Sequence, residues 1–273
     1  MSVTPAPARI PDVLTVACIA ILAYITADIS HEAVGHGGAC MLVGCTPHLV
    51  TSMQFDGDSS QLPQSASRII AAGGSVMNLI VAAVAAFLLG RTKLQHPGRW
   101  FFLWLLATVS LMQATGYLLY SGLGDIGDWT EVIAGLPGHT LWKLVLIVVG
   151  GVTYWLAVRW SMLRLGARLN SEAPARAREA YRYTLVAYFT GGALAVVAGA
   201  FDPAAQAIIL ISGLAASLGG TSGLAWGPQL LRSPRFVARA EPLAPLIRDW
   251  RWIAAGALCA IVYVAVLGPG IRF

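Results

Sequence analysis

Val13-Leu-Thr-Val-Ala-Cys-Ile-Ala-Ile-Leu-Ala-Tyr-Ile-Thr-Ala27 runs straight into Asp28-Ile-Ser-His31-Glu32-Ala-Val-Gly35-His36-Gly37-Gly38. The first part is apolar and helix-forming. The second brings four ionisable side chains into nine positions. Ionisable groups at membrane depth are costly and as a rule functional. The fold therefore turns on whether the apolar part is a membrane span.

The rest of the chain says that it is. Of 273 residues, 57% are hydrophobic and 11% charged, against about 25% charged in a soluble domain. Apolar stretches of the roughly 20 residues needed to cross a bilayer begin near Val13, Arg68, Trp100, Leu141, Arg182, Pro203 and Trp250. They end near Ala27 or later, Leu89, Tyr120, Trp160, Gly199, Leu224 and Leu267. The expected fold is an all-α polytopic membrane protein of about seven helices, the fifth and sixth joined by the turn Phe201-Asp202-Pro203. A cleavable leader ending at Ala27 would leave the charged cluster as a new terminus, so the first block reads as a retained span.

Fifteen of the 18 Lys and Arg residues fall at the N-terminus and in the loops after spans two, four and six, with Arg68, Lys143 and Arg272 opposite. That asymmetry places the N-terminus in the cytoplasm and the C-terminus outside. The net charge of +5 then faces anionic lipid, and no nucleic-acid partner is expected. The expected location is a bacterial inner (plasma) membrane. The polar stretches 166–181 and 227–249 read as cytoplasmic loops. Cys18, Cys40, Cys45 and Cys259 are too few and scattered for a disulfide framework. Cys40 and Cys45, with His48, have spacings that permit a disulfide or a separate metal site. Residues 49–57 resemble a short hairpin strand.

His31-Glu32 and His36 evoke the metallohydrolase pattern His-Glu-x-x-His, in which two histidines one helical turn apart bind metal and the glutamate activates water. The spacing here is longer by one. Five residues on a regular helix place two side chains roughly 140° apart. A π-bulge brings i and i+5 together; a local break at Gly35, Gly37 or Gly38 would do the same. Asp28, one turn earlier, is expected to orient a histidine from behind.

These residues resemble the site-2 protease family of intramembrane zinc metalloproteases. His31-Glu32-Ala-Val-Gly35-His36 matches that family's first element with one residue inserted, followed by helix-breaking glycines. Ala72-Gly73-Gly74-Ser-Val-Met-Asn78 resembles its second, a Gly-rich turn followed by asparagine. Ser121-Gly-Leu-Gly-Asp125-Ile-Gly-Asp128-Trp129 stands where its third ligand is carried. The resemblance covers about residues 13–135 and implies a metalloprotease-like core (1–135) followed by accessory helices (136–273) in the same membrane domain. It implies Zn2+ held by His31, His36 and Asp128, with Asp125 the alternative, Glu32 as general base, and Asn78 donating to substrate or oxyanion or else pairing helices.

Topology brings the three elements to one level. His31 lies roughly 27 Å along span one; span two returns past Gly73 and Asn78, and span three delivers Asp125 and Asp128. The expected function is cleavage of a membrane-embedded peptide by metal-activated water. The alternatives are a metal-dependent enzyme acting on a small lipophilic substrate and a metal-binding transporter or sensor.

Overall fold

The computed structural model describes residues 11–93, 95–169, 175–203, 215–233, 236 and 241–273. Arg9, Arg235, Arg239, the middle of the 166–181 stretch and half of the sixth expected span (204–214) lie outside them.

Asp12 caps the first helix by accepting from the Thr15 amide at 2.9 Å. Helix α1 (Val13–Ile29) continues without a break through a π-helix, Ser30–Gly37, into α2 (Gly38–Val43). The run ends at Gly44, whose φ of 83° is open to a residue without a side chain. A hairpin follows, with β1 (Thr46–Val50) antiparallel to β2 (Phe55–Asp58). Then come α3 (Gln64–Arg91), α4 (Pro97–Gly124), the short α5 (Asp128–Ile133), α6 (His139–Gly166) and α7 (Ala175–Gly199). After a second π segment, Ala215–Gly219, and two short turns, α8 (Trp250–Val262) leads through a third, Tyr263–Leu267, to β3 (Ile271–Arg272). β3 pairs with β1, so the sheet order is β2-β1-β3 and β2 is an edge.

Among the described residues, five helices are long and apolar enough to span a membrane: Val13–Val43, α3, α4, α6 and Trp250–Leu267. The expected fifth span is the helix α7, but Arg176, Arg178, Glu179 and Arg182 occupy its first turns and shorten its apolar part. The stretch 166–181 is therefore only partly a loop. Buried Trp104, Phe101, Leu105 and Met112 of α4 form the centre of the core with Ile19 of α1 and Val158 and Met162 of α6. Outward, α3 shows Ile80, Val84 and Phe87, and α6 shows Val148, Val152 and Trp155. An apolar exterior around a helical core with internally satisfied backbone is what hydrocarbon requires. The chain is an all-α polytopic membrane protein carrying one small sheet.

Residues 49–57 form no single strand. Val50 ends β1, Phe55 begins β2, and 51–54 are the turn between them. Thr51 closes that turn, its hydroxyl accepting from the amides of Met53 and Gln54 at 3.0 and 3.1 Å. Cys40 and Cys45 form a disulfide across the α2–β1 junction, so the alternative of a metal site using both cysteines does not hold.

The expected Gly-rich turn in span two is absent, since α3 runs through Gly73 and Gly74 as regular helix. Those glycines serve a close approach instead. A Cβ on Gly35 would lie 2.6 Å from the Gly74 Cα and 2.7 Å from the Gly73 carbonyl oxygen. Small residues at such crossings let helices pack backbone to backbone. Gly35→Ala gains at most about 1 kcal/mol of helix propensity against an overpacking cost of about 1–3 kcal/mol. It should lower the thermal unfolding temperature in detergent, whereas Gly38→Ala, with open space around its Cβ, should leave it unchanged or raise it.

Candidate metal centre

The π-helix solves the spacing problem posed by the sequence. One extra residue per turn stacks i on i+5, and His31 Nε2 comes within 3.2 Å of His36 Nε2. Both rings are buried and meet edge to face, with centroids 4.8 Å apart.

Each ring is held from behind by a helix across the interface. His36 Nδ1 lies 2.7 Å from the Ile70 carbonyl oxygen of α3. A carbonyl only accepts, so the hydrogen of His36 is on Nδ1 and its Nε2 presents a lone pair. His31 Nδ1 faces the Asn78 amide at 3.1 Å. Asn78 is fully buried, and its Oδ1 has no partner as placed. Amide nitrogen and oxygen are interchangeable assignments. Turning the Asn78 amide over gives His31 Nδ1–H an acceptor, and turning Gln113, 3.4 Å away, preserves that contact. Both histidines then aim Nε2 lone pairs at one point.

Asp128 supplies the third corner. Its Oδ2 is 3.1 Å from His31 Nε2 and 3.3 Å from His36 Nε2. Gly127 precedes it with φ 92°, and a Cβ there would strike the Tyr117 ring at 2.9 Å. The Trp129 indole donates to Ser75 Oγ at 3.0 Å and ties α5 to α3. Two imidazole lone pairs and a carboxylate oxygen, all 3.1–3.3 Å apart, repel one another unless a proton or a metal cation lies between them. Ligands bound about 2.0–2.1 Å from a tetrahedral ion stand about 3.3 Å apart. The three atoms match that triangle, and His31, His36 and Asp128 are a group that could hold a metal ion.

No family model, curated protein or solved structure matches this chain. The local chemistry therefore carries the argument.

Asp125 points elsewhere. It accepts from His139 and Lys143 at 3.1 Å each, and these partners hold its carboxyl below the usual range. Glu32 stands beside the triangle without belonging to it, with Oε1 4.0 Å from His31 Nε2. Asp28 does not touch a histidine, contrary to expectation; its carboxylate accepts from the Tyr263 hydroxyl at 2.5 Å. Asn78 reaches His31 and Gln113, and has no face on the groove described next.

That groove, about 470 Å³, opens from Glu32, His36 and Asp128 between α3, the 126–131 segment and Gln54–Gly57 of the hairpin. Sequence reasoning missed the Ile70 carbonyl, which has no side-chain signal. It also missed the reason for Gly74, where a Cβ would lie 2.5 Å from His31 Nε2 and 2.6 Å from His36 Nε2.

Loss of an outer partner of a metal-bound histidine commonly costs about 10–100-fold in metal affinity. Asn78→Ala should fall in that range. His31→Ala, His36→Ala and Asp128→Asn should each lose more than about 100-fold, and Asp125→Asn should lose nothing, as read by metal titration of purified protein.

Proposed function

We propose that this protein is a membrane-embedded zinc metallopeptidase that hydrolyses an extended segment of a membrane-associated peptide. The observation that carries the reading is the juxtaposition of the His31–His36–Asp128 triangle with an uncommitted carboxylate, Glu32, at the head of a groove. Two nitrogens and one oxygen suit zinc, whereas calcium and magnesium take six or more ligands, nearly all oxygen. Three protein ligands leave a position for water or substrate, which is the pattern of catalytic zinc. When bound, the ion would acidify water and polarise a scissile carbonyl.

The residues of the chain do the rest. Glu32 accepts a proton from the attacking water and returns it to the leaving nitrogen. Ile70 and Asn78 fix the tautomers and planes of the two histidines, so neither has to reorganise during the reaction. Asn78 acts in this reading through His31, a positioning role in place of the substrate contact expected from the sequence. On the groove wall, β2 has β1 on one side and an open edge on the other. Its free backbone groups suit addition of an extended peptide, so this reading favours unwound substrate over helix.

The resemblance to site-2 proteases supports the same reading. So does the position of the disulfide: Cys40 and Cys45 lie on the side that the Lys and Arg distribution assigns to the exterior, where disulfides persist. With the N-terminus inside, a reporter fused after Phe273 should read extracytoplasmic. A cytoplasmic signal there would invert the placement of the site.

Glu32→Gln keeps the shape of the side chain and removes the base. It should retain metal and lose at least ~10²–10⁴-fold in turnover of a panel of fluorogenic transmembrane peptides by detergent-solubilised protein. If Glu32→Gln instead loses its metal while His31→Ala keeps it, then Glu32 and His36 are the ligands and the assignment of the base fails.

A further inference from the structure

A second polar space adjoins the site. A cavity of about 50 Å³ is lined by Asp28, His31 and Glu32 of the first span, by Ser52 of the hairpin turn, and by Ser217 and Tyr263 of the accessory half. Glu32, Met53 and Tyr117 line both this cavity and the groove, and so form the partition between them. One water needs roughly 10–15 Å³ by this measure, so there is room for about three.

The lining is polar in a particular way. The Tyr263 hydroxyl is committed to Asp28. Ser52 Oγ and Ser217 Oγ are not committed: these side chains are 3% and 8% exposed, and neither hydroxyl oxygen has a hydrogen-bond partner in the protein. Buried polar groups left unpaired are strongly disfavoured. Where the space allows, they are met by ordered water that finds two to four polar partners. Two orphaned hydroxyls and two carboxylates around a space of this size meet that condition.

We infer that this cavity is a water-binding chamber, in which two or three ordered waters link Ser52 Oγ and Ser217 Oγ to the carboxylates of Asp28 and Glu32. The waters belong to the chamber whatever the protein does. Their use rests on the hydrolytic reading: each cleavage consumes one water, its oxygen joining the acyl carbon as the carbon–nitrogen bond breaks and one hydrogen passing to the leaving amine. A substrate lying in the groove closes the groove side to solvent. The chamber then keeps Glu32 hydrated through the partition, and the accessory helices supply its far wall.

The test is a structure of the purified, metal-loaded protein at a resolution that shows ordered water, together with two variants. Native protein should show water on Ser52 Oγ and Ser217 Oγ. Ser217→Val, which replaces a hydroxyl with methyl groups, should keep its metal and its KM for the peptide panel while kcat falls by up to about 100-fold, the scale of a misplaced reacting group. Tyr263→Phe leaves the volume unchanged and frees a carboxylate oxygen of Asp28, so it should gain a water there. A dry cavity in the native protein overturns the inference, and Ser217→Val with unchanged kcat overturns the use of these waters in turnover. Should Ser217→Val fail to fold, the native and Tyr263→Phe water positions decide it. An active Glu32→Gln protein would remove the peptidase reading alone, because the waters are observed independently of turnover.

Discussion

The i→i+5 turn between His31 and His36 is the constraint on which the rest depends. A π-helical segment is an uncommon conformation, tolerated where its surroundings hold it. Here the hold is external. Gly35 meets Gly73 and Gly74 backbone to backbone, which brings α3 near enough for the Ile70 carbonyl to reach His36 and for Asn78 to reach His31. Relaxed to a regular helix, the two imidazoles would diverge by roughly 140°, and at least one would leave the interface for lipid. Helix crossing, ring orientation and ligand geometry are thus one coupled choice.

A division of labour follows along the bundle. Around Trp104 and Met112 the packing is mostly apolar, with the Trp104 indole donating to the Ser161 carbonyl at 3.0 Å. At the level of the site, polar ties replace it. Trp129 bonds to Ser75, Arg68 and Gln64 both donate to the Ala134 carbonyl, and buried Asp202 accepts from Thr51 at 2.6 Å. Hydrogen bonds inside a membrane protein individually contribute about 0.6 kcal/mol on average. Their value here is positional: α5 and the hairpin turn are too short to hold themselves, so α5 is pinned to α3 and the turn to Asp202 just beyond α7.

How much of this was legible depended on the range of the interaction. The spans were readable because hydrocarbon demands about twenty apolar residues in sequence, and the five-residue spacing of the histidines announced an irregular helix. The choice between Asp128 and Asp125 was not decidable locally, since what draws Asp125 away is His139 and Lys143, beyond the next turn. The role given in advance to Asp28 missed for the same reason: Tyr263 lies 235 positions from Asp28. The tie from Trp129 to Ser75, 54 positions away, had no local signal either. Residues 49–57 misled because β-forming side chains continue through the turn, whose closure depends on the Thr51 hydroxyl. Of the expected loop 166–181, residues 175–181 instead form the opening turns of α7, whose Arg176, Arg178 and Glu179 gave no apolar signal.

The pairing of β1 with β3 has a consequence for biogenesis. Leu49 and Val50 find Arg272 and Ile271 only after every intervening helix has been synthesised. The hairpin and the disulfide need only the chain up to β2, but until α8 arrives β1 has an open flank. Chain synthesis thus runs ahead of sheet closure. A nascent chain halted before that last helix would leave β1 as a bare strand edge, open to premature strand exchange between neighbouring copies.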